Sequence, residues 1–221
     1  MERMEPTVDT TDTTAGYVSG PAAATEPRRL ALERVVDADH VVLVEGVTDQ
    51  IAVEALARRV GRELGRDGVT VAPMGGAHAI GTFLEVLAGR SEPLRRLGGM
   101  CDRREDPVIR AALFRAGWAP MATDADLERA GFHVCDADLE GELIAAMGAA
   151  GTERLLEQHG DLAAFRTLQR QAPWRHRPAE EQLHRFLRSR ARRMHRYAGR
   201  LVEAIDLDRM PRPLLGVLDL R

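Results

Sequence analysis

Val41-Val42-Leu43-Val44-Glu45-Gly46-Val47-Thr48-Asp49 is the stretch on which the reading of this chain turns. Four aliphatic residues end in a carboxylate, a glycine follows, and a second carboxylate stands where a helix should begin. An uninterrupted apolar strand is the pattern of a parallel sheet covered on both faces. Such a strand delivers Glu45 to the carboxyl edge of the sheet, outside which ligands of open α/β sheets bind. Asp49 lies one helical turn further on. Two acids held together there suit a hard cation such as Mg²⁺, which prefers oxygen ligands.

Outward from this stretch, strands and helices alternate. A short helix over 30–36 leads into the strand at 41–45. Ile51, Val53, Leu56, Ala57, Val60 and Leu64 recur at helical spacing after it, with Thr48 as the expected N-cap. Residues 69–73 read as a second strand, and Gly75-Gly76 opens a second helix through Ile80, Phe83, Leu84 and Leu87. A third strand over 97–102 ends again in an acid, and Pro107 suits the first turn of a helix over 108–116. A fourth strand over 132–135 runs through Asp136-Ala137-Asp138-Leu139-Glu140 into a helix carrying Leu143, Ile144 and Met147. This order predicts an α/β fold, a parallel sheet with right-handed crossovers. Beyond Gly148 helices dominate, over 160–168 and 180–205, separated by a breaker at 173–178. The expected organisation is a disordered tail at 1–27, rich in Thr, Ala, Pro and acids. An α/β domain at 28–148 and an Arg-rich helical extension at 149–221 follow it.

Composition narrows the function classes. The chain has 221 residues, 44% hydrophobic and 29% charged, which suits a globular protein. Aromatics are only 4%, so Ala, Leu and Val build the core. No stretch approaches the roughly 18 apolar residues of a membrane span. No basic segment followed by an apolar one opens the chain, so neither a signal peptide nor a membrane partner is expected, and a cytoplasmic location is. Cys101 and Cys135 both lie in strand-like runs and read as reduced thiols. Net charge is -3, so the whole molecule is not a trap for polyanions. Every basic residue other than His is Arg, so no lysine can act in catalysis. Neither Gly-x-Ser-x-Gly nor Gly-x-Gly-x-x-Gly occurs, which argues against an α/β hydrolase or a Rossmann dehydrogenase.

Acids recur at three strand ends: Glu45 with Asp49, Asp102 with Glu105, and Asp138 with Glu140. In a parallel sheet these ends lie side by side. Carboxylates crowded into one cleft repel unless cations neutralise them. The conflict points to a metal site of two divalent ions, the arrangement that stabilises attacking and leaving oxygens in phosphoryl transfer. Taken singly, Asp49 equally fits a helix cap. Glu105, Asp138 and Glu140 equally fit the positive ends of helices.

These residues resemble a known family. Val44-Glu45-Gly46-Val47-Thr48-Asp49 looks like the first motif of a Toprim domain, the metal-binding module of topoisomerases, primases and some nucleases. The variant is most similar to the Toprim region of overcoming-lysogenization-defect (OLD) nucleases. The likeness continues at Gly75-Gly76-Ala77-His78, at Gly99-Met100-Cys101-Asp102 and at Cys135-Asp136-Ala137-Asp138-Leu139-Glu140, and spans about residues 30–215. It implies a Toprim-like (Rossmann-like) parallel sheet flanked by helices, with a helical C-terminal extension. It also implies Mg²⁺- or Mn²⁺-dependent hydrolysis of DNA, with RNA as an alternative substrate, by an endonuclease or nickase. Glu45, Asp102 and Glu140 would be catalytic, and Glu45, Asp49, Asp102, Glu105, Asp138 and Glu140 would hold two ions. Two departures stand out. Toprim domains usually carry Asp-x-Asp at the third strand, but here the sequence is Asp102-Arg103-Arg104, with Glu105 one position later. The basic residue that OLD nucleases use in the C-terminal region, often lysine, can here only be arginine, which is too basic to act as a base. No Gly-x-x-x-x-Gly-Lys-Ser/Thr loop is present, so the chain reads either as a freestanding Toprim unit or as one that meets a separate ATPase subunit. An oligomer is compatible with the sequence. A catalytically degenerate Toprim module that binds nucleic acid or a partner ATPase, and a nucleotidyl transferase, are the competing readings.

Between Phe165 and Arg200 stand eleven arginines against two glutamates. Arg185, Arg188, Arg192, Arg196 and Arg200 recur at helical spacing, and with Arg190 and Arg193 they form a candidate track for a phosphate backbone. A solvated helix face is the plain alternative. Trp174 and Tyr197 suit base stacking or core packing, and His78 suits a phosphate contact or a turn.

Overall fold

β1 (His40–Val44) is an inner strand, and its burial explains its composition. In the computed structural model, which describes residues 25–219, four parallel strands lie in the order β2-β1-β3-β4. β2 is Val69–Pro73, β3 is Arg96–Asp102 and β4 is Phe132–Cys135. β1 runs in register from His40 opposite Val69 to Val44 opposite Pro73, and on its other side from His40 opposite Arg96 to Leu43 opposite Gly99. Val41 and Leu43 enter one hydrophobic cluster and Val42 and Val44 the other, so the strand has no polar face.

Helices cover both faces. α1 (Glu26–Arg34), α3 (Ile80–Ala88), α4 (Asp106–Arg115) and α5 (Asp124–Arg129) pack on the Val41/Leu43 side. α2 (Val47–Arg59) packs on the Val42/Val44 side. α6 (Leu139–Met147), α7 (Ala149–Gln158), α8 (Leu162–Gln169), α9 (Ala179–Arg188), α10 (Ala191–Ala204) and α11 (Arg212–Val217) join it there. Leu56 of α2, Leu143 of α6, Leu183 of α9 and Tyr197 of α10 share one buried cluster, which continues across the expected boundary at residue 148. Arg59 at the end of α2 donates to the backbone carbonyl of Val202 at 2.6 Å and to that of Ile205, and Arg62 donates to Leu218 O at 2.9 Å. Among the described residues no helix is long and apolar enough to cross a membrane.

Two glycines in β3 are dictated by close approach. A Cβ on Gly98 would stand 2.7 Å from Gly131 O, and one on Gly99 would stand 2.6 Å from Leu43 O and 2.8 Å from the Phe132 ring. The sheet is therefore tightest where β1, β3 and β4 meet.

Several boundaries differ from the sequence reading. Most of the tail at 1–27 lies outside the described residues, but Glu26 and Pro27 already belong to α1. Proline is tolerated in a first turn, and Glu26 pairs with Arg29. Gly46, not Thr48, is the N-cap of α2. α5 was not foreseen. Its signal is Thr123-x-x-Asp126, a reciprocal cap in which Thr123 Oγ1 accepts from Asp126 N–H at 3.2 Å and Asp126 Oδ2 accepts from Thr123 N–H at 2.8 Å. The helix expected over 180–205 is two helices. Ser189 Oγ–H donates to Phe186 O at 2.7 Å and ends α9, and Arg190 is extended before α10.

Candidate active site

The strand order reverses direction between β1 and β3, and that switch point is where an open α/β sheet leaves a crevice beyond its strand ends. Glu45 follows β1 and Asp102 ends β3, so the two acids flank the crevice. Glu45 leaves the sheet at a fixed place. Its backbone carbonyl accepts from Gly75 N–H at 2.9 Å and Gly76 N–H at 3.0 Å, and Val44 O accepts from Met74 N–H at 2.8 Å. Gly75 and Gly76 have φ of 74° and 110°, a region that glycine enters without steric cost. The Gly75-Gly76 pair therefore clamps the residue after β1, and a 3₁₀ turn (Ala77–Ala79) then leads into α3. His78 in that turn is exposed.

A cleft of about 410 Å³ opens here, and Glu45, Asp49, Asp102 and Glu140 line it together with Arg28 and Arg188. Asp49 lies in the first turn of α2, where its Oδ2 accepts from Gly46 N–H at 2.8 Å. It caps the helix and faces the cleft at once. Glu140 lies in the first turn of α6. Glu105 precedes α4, does not line the cleft, and stands near enough to Glu45 to raise its pKa.

The charges are poorly compensated. Burial, then Glu105 and Glu140, pushes Glu45 above the usual carboxylate range. Burial and Glu140 push Asp49 well up. Burial and the negative charge of Glu45 push Asp102 up to about 7. Burial and Asp138 raise Glu140. Glu45 Oε2 is buried with no hydrogen-bond partner among the described residues, which is costly for a carboxylate oxygen. These acids are hard oxygen donors and the orphaned oxygen lacks a counterpart, so the set fits a divalent cation in chemistry and charge. Among the described residues, however, no three His, Cys, Asp or Glu side chains form a ready-made cage. The acids share a cleft without converging on one point.

Asp138 is committed elsewhere. It caps α6 through Gly141 N–H at 2.8 Å, accepts from His184 Nε2–H at 2.8 Å, and pairs with Arg188 at 2.5 Å. Burial alone would raise its pKa, but the hydrogen bonds from His184 and Gly141 outweigh it and hold the carboxyl below its usual range. His184 was not foreseen as a partner. His184 and Arg188 stand four apart on α9, a spacing that puts both on one face. What that face meets, 46 residues away in sequence, is set only by packing. Arg28 of α1, which lines the cleft, gave no signal.

The two arginines after Asp102 do not intrude on the acids. Arg103 turns to Asp124 at 2.9 Å and Asp136 at 3.2 Å. Arg104 is exposed.

The arginine track is reorganised by the break between α9 and α10. Arg185, Arg188, Arg190 and Arg192 are exposed. Arg193 lies over the Phe186 ring, 3.9 Å from its centroid, and donates to Phe186 O at 3.1 Å. Arg196 donates to Asp161 Oδ2 at 2.5 Å, and Arg200 is buried. The continuous one-helix stripe expected from spacing is not formed. Tyr197 is core, with its hydroxyl on Asp161 at 2.9 Å, whereas Trp174 keeps partial exposure. Cys101 and Cys135 are buried free thiols.

A parallel α/β module with glutamate after its first strand and aspartate ending the strand beside it is the Toprim type of fold. Residues 38–93, from the approach to β1 through α3 into the segment before β3, match the Toprim domain of overcoming lysogenization defect protein-like proteins. The whole fold is similar to the C-terminal region of the OLD protein of Xanthomonas campestris pv. campestris, with 23% identity and a TM-score of 0.61 over 85% of this chain and 93% of that one. It is also similar to the C-terminal region of the Burkholderia pseudomallei OLD protein, with 18% identity and a TM-score of 0.58 over 83% and 96%. The fold is thus that of the OLD-type Toprim region. No curated relative matches the sequence.

Proposed function

We propose that this protein is a divalent-metal-dependent phosphodiesterase acting on DNA, an endonuclease or nickase of the OLD-like Toprim type. One observation carries the reading: Glu45, Asp49, Asp102 and Glu140 line one cleft at the sheet's switch point where, among the described residues lining it, only Arg28 and Arg188 stand against four acids. Glu45, Asp102 and Glu140 are the residues we assign to binding Mg²⁺ or Mn²⁺, with Asp49 and Glu105 beside them. Such ions, when bound, would supply Lewis-acid stabilisation of the attacking and leaving oxygens. Asp102, pushed up to about 7 by burial and its acidic neighbours, would give up its proton on binding an ion, so ion binding at this cleft should tighten as pH rises. Arg188 reaches the cleft from α9 and offers a guanidinium to a phosphate oxygen there. Asp138 and His184 act through Arg188, by holding it at the cleft's rim.

Purified protein with Mn²⁺ is expected to nick supercoiled plasmid. Glu45→Ala should lower the rate by at least about 100-fold, since even the residues that support metal ligands are worth about 10–100-fold. Absence of nicking by the parent protein with Mg²⁺, Mn²⁺ and Co²⁺ would overturn the reading.

A second reading has its own support. The acids form no ready-made cage, and Arg104 stands where Toprim domains place their second strand-end acid. A binding module without chemistry would show both. Calorimetric titration with Mn²⁺ separates the two: saturable binding lost in Asp102→Ala favours the enzyme.

A further inference from the structure

A second, separate concavity of about 340 Å³ lies between α8, α9 and the start of α10. Its polar lining is Thr167, Gln171, Ser189 and the arginines Arg185, Arg190 and Arg193, with Trp174 as its aromatic wall and no carboxylate among the residues lining it. Among the described residues neither Arg185 nor Arg190 has a carboxylate within ion-pair distance, whereas Arg193 stands 3.9 Å from Asp161. Burial pushes Arg193 below its usual range; the charge of Asp161 opposes that shift, and those of Arg190 and Arg196 add to it. Positive charge from Arg185 and Arg190 beside an aromatic wall suits an anion with a π-face.

The wall is built to stay in place. Gln182 is buried, and its Nε2 donates to Trp174 O at 2.7 Å while its Oε1 accepts from Gln169 Nε2 at 2.6 Å. A buried amide with both ends satisfied fixes the loop that carries Trp174. Arg185 lies over the indole, 5.9 Å from its centroid. A guanidinium beside an indole is the pairing that holds an unpaired base and its phosphate.

The pocket is also connected to the acid cleft. Trp174 and Arg185 line both it and a wide groove of about 890 Å³, and Arg188 lines both that groove and the acid cleft; five carboxylates also line the groove, so a strand would have to follow its Arg185–Arg188 side. We propose that the Trp174–Arg185–Arg190 pocket anchors an unpaired segment of a nucleic-acid strand, which reaches the acid cleft by way of Arg188. The strand is favoured over a free nucleotide because of this continuity. The proposal rests on the nuclease reading for what happens at the cleft end, but not for the binding itself.

The test uses the whole chain in EDTA, so that cleavage plays no part. The chain has two tryptophans, and Trp118→Phe leaves Trp174 as the sole indole. An oligothymidylate of about ten nucleotides, within the usual single-strand site sizes, is expected to quench its fluorescence. Arg185→Gln and Arg190→Gln, both at exposed positions, should each lower the salt-dependence slope of log K by about 1. Trp174→Leu, read by the fluorescence anisotropy of an end-labelled oligothymidylate because it removes the indole reporter, should weaken binding by about tenfold. Three results would overturn the proposal: oligonucleotide binding unchanged in these variants, equal quenching by a blunt duplex, or thymidine monophosphate binding as tightly as the oligonucleotide. Plasmid nicking that fails while this binding persists counts against the nuclease reading alone. Nicking that persists while the variants bind as the parent does counts against the strand anchor alone.

Discussion

Asp102 is the residue at which the site's electrostatics are most visible. Its carboxyl is raised from an ordinary 3.8 to about 7, first by burial and then by Glu45, Asp138 and Glu140. Glu45, Asp49 and Glu140 are raised as well, while Arg188 works against the shift at Glu45, Asp102 and Glu140. Between the unfolded and folded values the native state binds more protons than the unfolded state. The metal-free protein should therefore lose stability as pH rises from about 4 to about 7. Asp138, held below its usual value, contributes with the opposite sign, but at lower pH and as one group against four. Thermal melts across this window should show the downward slope, and saturating Mn²⁺ should flatten it. A slope that Mn²⁺ leaves untouched would mean that these acids do not share an ion.

Among the elements, β1 and the loop after β2 act as one unit. The N–H groups of Gly75 and Gly76 hold the Glu45 carbonyl, and both glycines sit at positive φ. Gly75→Ala forces a Cβ into that region at a cost of about 1–2 kcal/mol. Denaturant unfolding should report that loss. Mn²⁺ affinity should fall too, because the clamp sets where Glu45 leaves the sheet, whereas unchanged affinity would show that the clamp is only structural. Legibility also varies by element. All four strands are readable, as are the acids after β1 and at the end of β3, because a strand buried on both faces must be apolar and its end is where polarity returns. Gly75-Gly76 is readable as a turn but not as a clamp. The break between α9 and α10 is hidden, because Ser189-Arg190 contains neither glycine nor proline and a serine hydroxyl turned back onto Phe186 O does the work.

For the molecule as a whole, the C-terminal helices and the sheet share a core. Arg59 ties the end of α2 to the last turn of α10, so its loss strips a charged donor from the Val202 and Ile205 carbonyls. Hydrogen bonds to charged groups contribute about 1.5–3 kcal/mol, and Arg59→Met is expected to cost that much while unfolding stays a single transition. Two separate transitions would show that residues beyond 148 fold as an independent unit.

Local order belonged to the sequence: which segments are strands, which helices follow them, and that an acid closes β1 and β3. These are nearest-neighbour properties of side-chain hydrophobicity and backbone preference, so they are written where they act. The tertiary structure alone decided the pairings. It gave Asp138 to His184 and Arg188, turned Arg103 towards Asp124, and divided the arginines between a buried network around Asp161 and an exposed set near Trp174. A charge takes whatever partner packing brings within a few ångströms, and that partner can lie anywhere along the chain.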